Sequence, residues 1–534
     1  MEAECVILIP VLAEGQPVRQ PGPDGRSYPV LRETEDSPLV GKVKETLAQT
    51  FCSQALRLNR RARAMVLWDL PESTPHAVVE RKRLSQPAYL LLSQDEGGYA
   101  RRGFWLEESG RGADGPARRF IPGDFVDLVV GETAVARGFL EEVFPHELGH
   151  VTMSQVLGKL PPGQARNMHM SMAVTDYPTA FVEGWAEHFQ TMAVDATINP
   201  YLRGLARPDG ADLMASWHSR VDGWLRTAGV RRNLLAHRKT LPAEAMRGAD
   251  PYDIYLDYET SASFAVDELK GGQEMLACEG FIATLFYRLA TSERLGRTYR
   301  EPSFYARFRL PDESREGISP EATFGPIENA YLKLIAAMRE LGRTPLSPER
   351  PYALQLVAAY ARLFPDEAEA VYGEFVQATW GATVSQALAA QLEETAKIAR
   401  RGAYAQFRDC LPKDLAAMRD LVADLVAGRV SLDAGLGPEL WLLNSGFLIA
   451  SPVFFPERRV PLAINLNAAS EAHLMTIPGI DFSLAGGIVA ARRRAGFFTD
   501  LAEIGRVPGV SPALVDALGK MQADMAQAGL FERE

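Results

Sequence analysis

The chain is poor in the residues that mark several common classes of protein. Among its 534 residues are only four cysteines, Cys5, Cys52, Cys278 and Cys410, scattered without CxxC spacing. That pattern gives neither a disulfide framework nor a thiolate metal site, and reduced thiols are expected. No apolar run approaches the roughly 20 residues that a membrane-spanning helix needs, so no membrane partner is expected. Basic charge is also short: 57 Lys and Arg face 68 Asp and Glu, a net of −11. A whole-molecule attraction to nucleic acid or anionic lipid is thereby excluded, and any such binding must be local. The opening MEAECVILIPVLAEG has an apolar run but carries acids where a secretion signal has basic residues; a cytoplasmic location is the expectation.

Histidine is scarce too, with eight in the chain, yet two of them stand four positions apart. FPHELGHVT places His146 and His150 on one face of a helix, with Glu147 beside them. Thirty-three positions beyond His150, AFVEGWAEHFQTM sets Glu183 and Glu187 four apart on a second helical pattern. Phe144, Leu148 and Val151 form an apolar stripe turned away from the histidines, and Phe181, Trp185 and Met192 do the same for the second segment. Both helices are expected in a core. Two imidazoles and a carboxylate make the donor set of a catalytic zinc ion, which keeps three protein ligands and one water. The alternative reading of the same residues is a pair of buried helix histidines with the carboxylates facing solvent.

The HEXXH pattern followed by VEGWAEH resembles the gluzincin metallopeptidases, the thermolysin-like and aminopeptidase N-like group. The resemblance implies zinc (Zn2+) as cofactor, His146, His150 and Glu183 as its ligands, Glu147 as general base and a peptide or protein substrate. It also implies that Glu187 is an acid hydrogen-bonded to a ligand histidine. No GxMEN motif precedes His146, which favours endopeptidase over aminopeptidase action. The long interval from His150 to Glu183 implies an inserted loop. Oxyanion donors would come from His169, His188, His218 or His237, or from Tyr252, Tyr255 and Tyr258. His188 is expected to be structural, because it points to a different helix face from Glu187.

The chain ahead of His146 reads as strands over CVILIPVLA, ARAMVLWDL, PAYLLLSQ and YARRGFWLEES, with a mobile Pro/Gly loop at QPVRQPGPDGRSYP and a helix around KVKETLAQTFCSQALRL. A gluzincin-like sheet would offer an edge strand to an extended substrate. Pro145 is expected to kink a helix running from Arg137 to Leu157 or to mark its true start. From ACEGFIATLFYRLA, at residue 277, onward the pattern is mostly helical, in segments of bundle length separated by Pro and Gly turns.

After a linker-like SPVFFPERRVPLA, two copies of a helix, PG[IV] turn, helix pattern follow: LMTIPGIDFSLAGGIV and EIGRVPGVSPALVDAL. With the INLNAAS opening at Ile464–Ser470, this resembles the tandem helix-hairpin-helix domain of ComEA-type competence DNA receptors. The resemblance implies phosphate contacts from hairpin backbone at Gly479 and Gly509, with Arg492, Arg493 and Arg494 as the local basic patch. Asp481 and Ser511 replace the last glycine of the usual PGIG, and residues 464–534 carry six basic against eight acidic residues. Duplex DNA and a protein partner therefore both stand as candidates for residues 464–525.

The expected fold class is α+β, predominantly helical. Its expected blocks are an N-terminal strand, loop and helix segment (1–60), a zincin-like catalytic domain with a small sheet (61–310), a helical domain (311–455) and a small all-α helix-hairpin-helix domain (456–534).

Overall fold

The computed structural model describes residues 5–71, 74–93, 98–112, 115–160, 171–172, 174–205, 223–239, 264–310, 313, 324–343, 346, 350–436, 448–455, 460–466, 469–495, 498 and 500–527. It is predominantly helical α+β, as expected from the sequence. Contacts divide the chain into two compact units. The first comprises 1–160, 188–206 and 290–343; the second comprises 161–187, 207–289 and 344–534.

In the first unit, β1 (Cys5–Pro10), the short β2 (Leu12–Ala13), β3 (Gln16–Pro17) and β4 (Arg19–Pro21), and β5 (Ser27–Glu33) precede three helices. These are α1 (Pro38–Gln49), α2 (Phe51–Asp69) and α3 (Pro75–Leu84). The strands β6 (Ala88–Ser93), β7 (Tyr99–Gly112) and β8 (Gly115–Val129) complete the sheet, in the order β1-β6-β8-β7-β5-β4. It folds back on itself, because β1 pairs in parallel with β6 and antiparallel with β5. Alternate residues Leu8, Leu31, Tyr89, Leu91, Phe104, Leu106, Ile121 and Phe125 turn inward and form one cluster, as the period of two along a strand requires. The three phenyl and phenol rings of Tyr89, Phe104 and Phe125 meet edge to face.

Three expectations are corrected here. QPVRQPGPDGRSYP is no mobile loop: it contains β3, β4 and the start of β5, with Arg19, Gln20 and Pro21 paired to Pro29, Tyr28 and Ser27. ARAMVLWD is not a strand but the end of α2. Its buried Ala62, Met65 and Val66 continue the helical stripe of Ala55 and Leu58, and a short apolar run cannot distinguish the two by itself. Residue 60 consequently falls inside a helix. The sheet also lacks a long edge for a substrate strand among the described residues, since β1, β5, β6, β7 and β8 each pair with at least two neighbours.

The helices α4 (Glu132–Ala136), α5 (Phe139–Leu157), α6 (Tyr177–Ala196) and α7 (Pro200–Leu205) follow. Gly138, at φ 80°, breaks the chain between α4 and α5, so α5 starts two residues after Arg137. Pro145 lies inside α5 and lacks the N–H that would bond the carbonyl of Glu141. The Cys52 thiol lies between this oxygen and that of Leu140, at 3.9 and 3.8 Å. On the same side, Asn59 Nδ2 of α2 donates to Thr152 Oγ1 at 2.9 Å and Gln155 Oε1 at 3.0 Å. The buried Phe144, Leu148 and Val151 complete the apolar face.

In the second unit, β9 (His237–Lys239) and β10 (Phe264–Leu269) form a ribbon, followed by α8 (Gly272–Leu276) and α9 (Glu279–Thr291). Gly184 of α6 packs on α9 so closely that a Cβ there would lie 2.6 Å from the carbonyl oxygen of Glu279. Further on are α10 (Ser303–Ala306) and α11 (Pro326–Leu341), which belong to the first unit, then α12 (Tyr352–Leu363), α13 (Ala368–Thr379), α14 (Gln386–Arg400) and α15 (Tyr404–Val426). The expected linker SPVFFPERRVPLA instead supplies an antiparallel pair, β11 (Leu448–Phe455) and β12 (Val460–Asn465). The chain closes with α16 (Glu471–Met475), α17 (Phe482–Ala495), α18 (Leu501–Ile504) and α19 (Pro512–Gln527), around a core that includes Ile477, Ile488, Val507 and Leu518.

Candidate metal centre and helix-hairpin-helix module

His146 and His150 lie one turn apart on α5, and Glu183 lies on α6. One donor atom from each falls within 4.8 Å of the other two. The imidazoles are turned so that the two Nε2 atoms are 3.2 Å apart, with the rings nearly perpendicular. Glu147 is buried beside them, its Oε1 4.0 Å from His146 Nε2. Two imidazoles and a carboxylate converging on one point fit a tetrahedral zinc ion with one open position.

The neighbours of His146 fix its tautomer. Its Nδ1 is 3.0 Å from Gln190 Oε1, and Gln190 Nε2 donates to Glu142 Oε1 at 3.4 Å. A carboxylate there accepts, so the amide turns its NH2 to Glu142 and its carbonyl to the ring. His146 must then donate from Nδ1, which leaves the Nε2 lone pair for a metal. Gln190 was not singled out from the sequence. Its signal was available, since Glu183, Glu187 and Gln190 follow the i, i+4, i+7 spacing of one helix face.

Glu187, predicted to hold a ligand histidine, accepts from Ser171 Oγ at 2.6 Å. Ser171 belongs to a segment stitched to the start of α9, where Gly280 N donates to Ser171 O at 3.0 Å. Glu187 thus ties α6 to the segment that leads into it. His188 is fully buried, with Nε2 2.9 Å from Tyr331 Oη; its expected structural role agrees with this. Burial, followed by the charge of Lys270, pushes the pKa of His237 down to about 4. It is neutral at pH 7 and is not the imidazolium donor considered for an oxyanion. His169, His218, Tyr252, Tyr255 and Tyr258 lie outside the described residues.

At the other end of the chain, both PG turns adopt the conformation that requires glycine, with φ +88° at Gly479 and +94° at Gly509. The residues that depart from PGIG cap the helices that follow. Asp481 Oδ1 accepts from Leu484 N at 2.8 Å, and Ser511 Oγ accepts from Leu514 N at 3.2 Å. Each occupies one of the helix N-terminal donors that a phosphate would use.

Arg492 corrects the predicted basic patch. It continues the buried stripe of Ala485, Ile488 and Val489 along α17, so the helical period turns it inward. Its guanidinium donates to the carbonyls of Leu466 and Ala469 at 3.0 and 2.9 Å and to Glu274 Oε1 at 3.2 Å. Arg494 is exposed, and the side chain of Arg493 lies outside the described residues.

Comparison with known proteins gives one result: a helix-hairpin-helix motif matches residues 462–520. No curated protein and no solved structure matches the chain.

Two outcomes are expected. Gln190→Leu should weaken zinc binding by roughly 10- to 100-fold with the helical content unchanged, as read by competition with a chromophoric chelator. Arg492→Ala removes the donor to the buried carbonyls of Leu466 and Ala469 and one of the two guanidinium groups at Glu274, the other being Arg238, and should cost about 1–3 kcal/mol in urea unfolding, whereas Arg494→Ala should stay within about 0.5 kcal/mol of wild type.

Proposed function

We propose that the chain is a zinc-dependent metallopeptidase. The observation that carries this reading is the convergence of His146, His150 and Glu183 donor atoms within 4.8 Å, with a second carboxylate, Glu147, alongside. A bound zinc ion supplies Lewis acidity towards a peptide carbonyl and lowers the pKa of a water. The protein's own residues do the rest. His146 and His150 present Nε2, and Gln190 holds the His146 ring in the tautomer and orientation that make this so. Glu147 takes the proton of the attacking water and passes it to the departing amine. Endopeptidase action is favoured, since the sequence ahead of His146 carries no amine-anchoring GxMEN. All four cysteines are free thiols, which supports a reducing, cytoplasmic setting.

The second reading is a tethering role for the helix-hairpin-helix module, towards DNA or protein. The capped turns and the inward Arg492 favour the protein form, because they remove phosphate donors and charge from the face that would meet a duplex. On this reading the histidine and carboxylate cluster is scaffold.

Glu147→Gln separates the two. The peptidase reading predicts that this variant retains metal and loses at least about 100-fold of wild-type cleavage of an unfolded protein substrate, measured by fragment mass spectrometry. Undiminished cleavage removes Glu147 from the mechanism. Absence of cleavage in the metal-loaded wild type, with a protein partner bound through residues 464–525, favours the tether.

A further inference from the structure

In the second unit the short α8 turns the chain so that the residues on either side of it meet. Lys270 precedes α8 and Cys278 follows it, and Lys270 Nζ lies 3.7 Å from Cys278 Sγ. Backbone bonds hold both positions: Lys270 N donates to Ala236 O at 2.9 Å, and Cys278 N donates to Met275 O at 3.1 Å. Both residues are buried, Lys270 at 8% exposure and Cys278 at 0%.

Buried lysines are ordinarily matched by a carboxylate. Among the described residues Lys270 forms no such ion pair; its Nζ donates to Leu235 O at 2.5 Å and otherwise meets the sulfur. The thiol in turn donates to Ser171 O at 3.3 Å, an oxygen that also accepts from Gly280 N. Burial pushes the pKa of Cys278 up, and the charge of Lys270 works against that, as it should for a cation lying against the sulfur. All four cysteines are free thiols, so no disulfide competes for this one. An amine nitrogen and a sulfur are thus held together out of water, and the flexible lysine stem can close the remaining gap to a bridging atom.

We propose that Lys270 and Cys278 are the site of an oxidative crosslink in which one oxygen atom joins Nζ to Sγ, with dioxygen as the oxidant. Sulfur and nitrogen each give up two electrons, and dioxygen takes all four. One of its oxygens ends between the nitrogen and the sulfur. The other leaves as water, with the thiol hydrogen and one hydrogen of the amine, and the extra proton of the ammonium is released. Dioxygen is small and apolar, so it reaches a buried thiol that larger oxidants do not. The crosslink removes the S–H donor from Ser171 O. Because Ser171 Oγ donates to Glu187, the oxidation state of the pair acts on the segment that leads into α6. The inference stands whether or not the histidine cluster is catalytic.

The test is accurate-mass peptide mapping of the folded full chain after prolonged exposure to dioxygen. A tryptic peptide spanning Lys270 and Cys278 is expected, uncut after Lys270 and heavier than its sequence by one oxygen less two hydrogens. Unfolding in dithiothreitol should restore the ordinary mass and the cleavage, which separates the crosslink from a methyl group. With isotopically heavy dioxygen the added oxygen should be the heavy one. Lys270→Arg, which keeps the cation and removes the primary amine, should give no such species, and the wild-type readout does not depend on that variant folding. A Cys278 that stays a thiol, or that gains whole oxygens while trypsin still cuts after Lys270, overturns the proposal. A mass shift that survives dithiothreitol, or that appears unchanged in Lys270→Arg, also overturns it.

Discussion

Two imidazole nitrogens face each other across 3.2 Å beside a carboxylate, and the amide of Gln190 has already claimed the proton on the far side of one ring. Lone pairs held this close repel unless a proton or a metal ion lies between them. The rest of the metal helices serves to keep that arrangement. Burial on the rest of α5 fixes the pose of the two rings: its opposite face is sealed by Phe144, Leu148 and Val151. Asn59 adds two hydrogen bonds from α2 to that helix.

The second helix is held by different means. Gly184 lets α6 approach the backbone of α9 to a distance no side chain would permit, and Glu187 anchors the segment that enters α6 through Ser171. Glu183 and Gln190 are thus carried on one continuous helix from a fixed start. Pro145 shows the converse, a backbone defect inside α5 beside which the Cys52 thiol lies 3.8 and 3.9 Å from the carbonyl oxygens of Leu140 and Glu141. Gln190 with Glu142, Glu187 with Ser171 and Asn59 with Thr152 and Gln155 are buried polar pairs that hold the two helices.

Much of this was legible in the sequence. The i, i+4 spacing of His146 and His150 fixes a shared helix face whatever the tertiary context, and Glu183 followed from the next amphipathic pattern. Gln190 was missed because an amide carries no charge signature and its role depends on which helix lies opposite. The resemblance gave Glu187 a ligand histidine to hold, and the structure adds Ser171, from whose hydroxyl it accepts. ARAMVLWD was misread because five apolar residues in a row fit a strand and a buried helix equally. Arg492 was counted with its neighbours as surface charge, although its register with Ala485, Ile488 and Val489 already placed it inside. Closure of the sheet through β1 and β5 was invisible, since strand pairing at that separation has no local signal.

The helix-hairpin-helix module carries both of its glycine turns, and three of its polar side chains turn back on the protein. The glycine conformations persist at Gly479 and Gly509, whereas Asp481, Ser511 and Arg492 direct polar groups into the protein's own structure. The account as a whole turns on the metal. Zinc content by plasma mass spectrometry, on protein purified without chelator, should give about one ion per chain in the wild type and none in His146→Ala or Glu183→Ala. A folded wild type that contains no zinc and takes up none on dialysis would contradict it.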